Sequence, residues 1–158
     1  MNKKIGKQLK FLWQKVGLIV NLSQMVEYNL ANILAFDEIL REFEERDSMF
    51  VYEYNEFAKQ ANKWYDKLSK KSLGKSLNRA KEIKFFTEES EKTLLEAIEK
   101  RNYVIHHLFK DDLTKKSLDT NPTVYYQELE ETIALLASVN DSLIKIFKQQ
   151  KEEHKLIW

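Results

Sequence analysis

From Leu9 to Leu40 the chain places Leu9, Leu12, Val16, Ile19, Val26, Leu30, Ile33 and Leu40, with Ser23 and Asp37 in the same register, at steps of three and four residues without a slip. Only an α-helix keeps such positions on one side, so some forty residues are committed to a single helical face. A straight helix of that length spans about 60 Å, more than a small domain is wide. A bend near Gly17 or Asn21, or a protruding end, is therefore expected. Glycine occurs three times and proline once in 158 residues, which leaves few turns and favours long helices over a many-turned β fold.

The same step recurs at Phe50, Tyr54, Phe57, Ala61, Trp64 and Leu68 and predicts a second helix over 49–71, joined to the first through the acidic stretch Glu42 to Asp47. A short third helix begins at Ser72-Leu73-Gly74, with Leu77, Ala80 and Ile83 as its apolar positions and Gly74 admitting a close backbone. Thr87 reads as the N-cap of a fourth helix over 88–111, and Glu88 and Glu89 favour the positive end of its dipole. Asp119-Thr120-Asn121-Pro122 is a stop and restart, with Asn121 as N-cap and Pro122 at the first helical position. Leu129, Leu136, Val139, Leu143 and Ile146 then mark the last helix. Residues 1–158 are thus expected to form one all-α domain, an antiparallel four-helix bundle with an additional short helix.

Charge comes in blocks. Residues 1–22 hold five lysines and no acid, 27–56 sum to −7, 59–84 to +7 and 88–99 to −4, within a net charge of only +1. Alternating blocks suggest helices that face one another. The absence of cysteine removes disulfides, thiolate zinc sites and cysteine nucleophiles, and fits a cytoplasmic protein. The apolar run Val16 to Val20 is far too short to span a bilayer, so no membrane partner is expected. Di-metal bundles need Glu-x-x-His pairs, but Tyr103, Val104 and Lys151 precede the three histidines by three residues, and no phosphate-cradling glycine loop or Ser-x-Gly elbow is present. No metal and no cofactor are expected.

Groups able to move protons near neutral pH are limited to His106, His107 and His154, which directs attention to Lys100-Arg101-Asn102-Tyr103-Val104-Ile105-His106-His107. At about 100° per residue Leu94, Ile98, Ile105 and Leu108 form the buried stripe, and Arg101 falls within it. An arginine there snorkels, meets a carboxylate in the core, or projects into a cleft that holds an anion. Asn102 and His106, four apart, share an edge flanked by Leu95 and Phe109, while His107 lies about 100° round the helix.

Arginine, four or five residues, then histidine, with asparagine after the arginine, resembles the signature of the HEPN superfamily. The Leu-Gly-x-x-Leu turn at Leu73 to Leu77 looks like the segment before the motif helix in some bacterial members, so the resemblance covers residues 72–109. It implies a small, all-helical, usually homodimeric protein, and in many members a metal-independent ribonuclease of toxin–antitoxin, phage-defence or RNA-processing systems. On that resemblance Arg101 holds the phosphate oxygens, His106 or its rival His107 transfers the proton, and Asn102 fixes the imidazole or contacts phosphate. One subgroup carries a tyrosine two positions after the histidine, modified by its antitoxin; here Leu108 and Phe109 stand at those positions.

Two other readings stay open beside the ribonuclease. One is a non-catalytic helical scaffold or interaction module with Arg101 as a structural charge, and the other a DNA- or protein-binding regulator. Lys63, Lys67, Lys70 and Lys71 can share a helix face, either as an RNA-backbone track or as a solvated face opposite the acidic block. Trp13, Trp64, Tyr65 and Phe57 could stack on bases, but three of them fit the apolar helical pattern or its edge, which favours core packing.

Overall fold

In a computed structural model of the chain, which describes residues 3–44, 54–108, 110 and 112–153, the regular elements are helices: α1 (Lys3–Glu44), α2 (Tyr54–Leu68), α3 (Leu73–Ala80), α4 (Glu88–His106), α5 (Asp112–Thr120) and α6 (Tyr126–Glu153), with a 3-10 turn at Pro122–Tyr125 before α6. The all-α expectation holds.

The long register of α1 is realised as one unbroken helix, with no break at Gly17 or Asn21. Leu12, Ile19, Val26, Leu30, Ile33 and Leu34 are fully buried. The two polar members of the register are both satisfied. Ser23 donates to the Ile19 carbonyl at 2.6 Å, and Asp37 accepts from Arg79 at 2.8 Å and Arg41 at 3.0 Å. Helix α6 supplies the facing leucines Leu129, Leu136 and Leu143.

The contacts between α1 and α6 ascend together. Tyr126 donates to the Gln8 carbonyl, Lys15 pairs with Glu130, Asn29 donates to Asn140 and Gln150 donates to the Ile33 carbonyl. These two helices therefore run parallel. Helix α4 runs against α6: Ser90 and Leu94, early in α4, line a cavity with Ser138, Ser142 and Ile146, late in α6, while Lys100 near the end of α4 reaches Glu131 near the start of α6. An antiparallel arrangement thus describes the α4 and α6 pair but not α1 and α6. A second, aromatic cluster of Phe36, Ile39, Leu40 and Phe57 packs α2 against the C-terminal half of α1.

Several local expectations change. Thr87 is the N-cap of α4, accepting from the Ser90 backbone N–H at 3.1 Å. Losing that bond in Thr87→Ala should cost about 1 kcal/mol in a urea unfolding series, with the slope unchanged. Helix α4 ends at His106 and not at 111, because the Tyr103 carbonyl takes the backbone N–H groups of both His107 and Leu108 and the chain turns. The short helix α5 follows where no element was expected. Asn121 caps nothing with its side chain, whose oxygen instead accepts from Thr123, and Pro122 opens the 3-10 turn. A Cβ at Gly74 would meet nothing within 4 Å, so no backbone approaches it closely. The positions Phe50, Phe109 and His154 lie outside the described residues.

Facing charge blocks occur where the acidic end of α1 meets α3. The Arg79 guanidinium donates to Glu38 at 2.9 Å, Asp37 at 2.8 Å and Glu82 at 2.7 Å. Burial alone would lower its pKa, but the hydrogen bond and charge of Glu38, with the charge of Asp37, hold it above the ordinary arginine range. Lys81 pairs with Glu91 at 2.7 Å, and Lys84 with Glu153.

Candidate functional site

The buried seam of α4 is Leu94, Ala97 and Val104, continued past the helix end by the buried Leu108, with Arg101 between Ala97 and Val104. Ile98 and Ile105, expected in the stripe, are only half-buried, so the seam is turned slightly and Arg101 lies nearer its centre. A helix that follows a 3-4-3-4 step places its middle residue on the core side whatever its chemistry. The arginine therefore begins among apolar side chains and must lead its charge outward.

It does so incompletely. The Arg101 side chain is 23% exposed, its Nη1 donates to Asn102 Oδ1 at 2.9 Å, and its Nη2 reaches Glu27 Oε1 at 3.4 Å. Its Nε is buried with no acceptor. Glu27 is 44% exposed, so this contact is a loose surface pair of small worth. The contrast with Arg79, held by three carboxylates below 3 Å, separates an arginine built into the fold from one with capacity to spare. Guanidinium donors fit two oxygens of a phosphate, and a buried orphan N–H gains from any acceptor that arrives.

Asn102 lies beside the guanidinium, not beside the imidazole. Its carbonyl is the acceptor for Arg101, and no hydrogen bond joins it to His106. The reading that Asn102 fixes the histidine tautomer is not realised in this geometry, and its amide N–H₂ has no hydrogen-bond acceptor among the described residues. His106, the last residue of α4, and His107, its C-cap, are both exposed, and neither side chain has a bonded partner among the described residues. Leu95 and Tyr103, 45% and 43% exposed, give this part of α4 an apolar surface beside the polar groups.

The expected basic track divides in two. Lys63, Lys67, Lys70 and Lys71 are exposed and form no ion pair among the described residues; Lys67 lies over the Trp64 ring at 4.3 Å. The later members of the run, Arg79, Lys81 and Lys84, are all neutralised by carboxylates. Of the aromatic residues weighed for stacking, Phe57 is buried, Trp64 and Tyr65 are half-buried, and Trp13 is 52% exposed. Tyr65 packs edge-on against the exposed Tyr28, and burial, with the neighbouring Tyr28 and Asp66, holds its phenol above the usual range.

Sequence reasoning missed Glu27 as the partner of Arg101, because a contact across so many residues has no local signature; its only trace was the acidic block that begins there. Among the described residues, no three His, Cys, Asp or Glu side chains gather closely enough to hold a metal ion, and no helix is long and apolar enough to cross a membrane. Comparison with models of protein families, with curated proteins and with solved structures gives no match.

Proposed function

We propose that this chain is a HEPN-type endoribonuclease that cuts RNA without a metal, through attack of the ribose 2′-hydroxyl on the adjacent phosphorus. The observation that carries the reading is Arg101: a guanidinium in the apolar seam of α4, loosely paired, with a buried Nε that lacks an acceptor. In the reaction the 2′ oxygen bonds to phosphorus, the bond to the 5′ oxygen breaks, and the products are a 2′,3′-cyclic phosphate and a 5′-hydroxyl. Arg101 neutralises the nonbridging oxygens as negative charge develops. His106 takes the 2′ proton or supplies one to the departing 5′ oxygen, with His107 as its rival. A homodimer, which the resemblance implies, carries two such sets. Lys63, Lys67, Lys70 and Lys71 are the RNA-backbone track. A cytoplasmic toxin or phage-defence role, with a cognate antitoxin protein as partner, is the setting the resemblance implies.

The test is incubation of the purified chain with mixed RNA in excess EDTA, followed by identification of the new ends. Products ending in 2′,3′-cyclic phosphate, and no cutting of the fully 2′-O-methylated RNA, are expected. Cleavage of the methylated RNA, or none of either, counts against the reading. For the lysine track, replacing Lys63, Lys67, Lys70 and Lys71 by glutamine should flatten the dependence of log affinity on log salt by about 0.7 for each lysine that touches a single-strand phosphate. An unchanged slope removes the track.

The second reading, a non-catalytic scaffold, is favoured by the contact of Arg101 with Glu27. It requires that this pair matter to the fold, which an exposed carboxylate at 3.4 Å supports weakly.

A further inference from the structure

The outward side of α1 between Phe11 and Tyr28 differs from the rest of the surface. Eleven positions there are exposed, and Glu27 is the only charged one, in a chain where 32% of residues are charged. Ordinary surfaces carry roughly 25–35% charged side chains, so three or four would be usual. Phe11, Leu18 and Met25 line one flank at seven-residue spacing, and Trp13 and Val20 line the other. Between them run Gln14, Gly17, Asn21 and Gln24, short or uncharged, and a Cβ at Gly17 would meet nothing within 4 Å. At its N-terminal end this surface meets Lys7 and Lys10, exposed and without an ion pair among the described residues, and at its other end lies Glu27.

We infer that a second copy of this chain docks here, α1 against α1 and antiparallel about Leu18. The charge pattern selects both occupant and direction. Two copies meeting head to tail lay Phe11 opposite the partner's Met25 and bring the Lys10 end of each beside the Glu27 end of the other, whereas a parallel pairing sets lysines against lysines. Gly17 and Asn21 allow the helices a close approach, and the face runs for about 26 Å between the two charged ends. The inference gives the homodimer a surface with one Arg101 site at each end, because pairing about Leu18 sets the two Glu27 side chains about 27 Å apart along the helices; it rests on the proposed function only for what the dimer does. Because Glu27 also touches Arg101, the interface borders the candidate site.

The oligomeric state of the full chain tests this by light scattering and sedimentation. The wild type is expected to be a dimer, Leu18→Glu with Val20→Glu a monomer of unchanged helical circular dichroism, and Lys10→Glu or Glu27→Lys alone a weakened dimer that the combined reversal restores. As the chain has no cysteine, Gly17→Cys should give a covalent dimer on oxidation, and Glu88→Cys, at the other end of the bundle, should not. A wild type monomeric at every concentration, or a dimer indifferent to Leu18→Glu and Val20→Glu, overturns the interface; failure of the combined reversal overturns the antiparallel pairing. A dimer that cuts no RNA sinks the nuclease reading and leaves the interface standing, and a monomer that cuts RNA does the reverse.

Discussion

His106→Ala is expected to lower RNA cleavage by about 10²- to 10⁴-fold, the range that general acid–base groups supply, while leaving melting temperature and helical content unchanged. The structural cost is small because His106 is exposed, ends its helix and has no bonded side-chain partner among the described residues. His107→Ala separates the two candidates, since a helix turns about 100° between neighbours and only one can face an anion on Arg101. Retained cleavage in His107→Ala assigns the role to His106. The opposite pattern moves it by one residue and keeps the chemistry, whereas equal cleavage by both variants and wild type removes histidine from the mechanism.

The largest loss of stability is expected at Arg79. Asp37 and Glu38, 17% and 22% exposed, share its guanidinium, so Arg79→Met leaves two carboxylates at the junction of α1 and α3 without their main cation. Removing one partner of a fully buried pair costs about 3–5 kcal/mol. Partial exposure, and Arg41 still holding Asp37 at 3.0 Å, bring the expectation to about 2–3 kcal/mol, given the weaker worth of exposed pairs. At about 2–4 °C per kcal/mol for a chain of this size, the melting temperature should fall by roughly 4–12 °C. Adding Glu38→Gln removes an unpaired charge and should restore part of the loss. No change in melting temperature for Arg79→Met would mean that the network contributes nothing to the fold.

What could be read in advance depended on how far each signal extended along the chain. The register of α1 spans many turns, so a single polar interruption at Ser23 or Asp37 could not hide it. Helix α5 has only Leu113 and Leu118 as large apolar residues, too few to set a 3.6-residue period, and was invisible. The end of α4 was overrun because His107 and Leu108 suit a helix; the two backbone bonds to the Tyr103 carbonyl turn the chain there. Direction was also hidden. Periodicity shows which face is buried but not which helix buries it, so the parallel course of α1 and α6 emerged only from pairs such as Lys15 with Glu130.

At the candidate site the position of Arg101 on the apolar seam was legible, because it follows from helical geometry alone. Its partners were not. A guanidinium in a seam satisfies the same spacing whether it is clamped, as Arg79 is, or loosely held. The difference lies in carboxylates brought from distant segments. For the same reason nine basic residues between 59 and 84 read as one run, although Arg79, Lys81 and Lys84 are neutralised and the lysines before them are not.

The most direct measurement takes one preparation of Arg101→Ala and records both its melting temperature and its cleavage of RNA in EDTA beside the wild type. The expected result is a wild type that cuts, a variant that does not, and nearly equal melting temperatures, because the exposed Glu27 carboxylate is hydrated when its partner is gone. A variant that melts many degrees lower, beside a folded wild type that cuts no RNA, would contradict it and make Arg101 a structural charge.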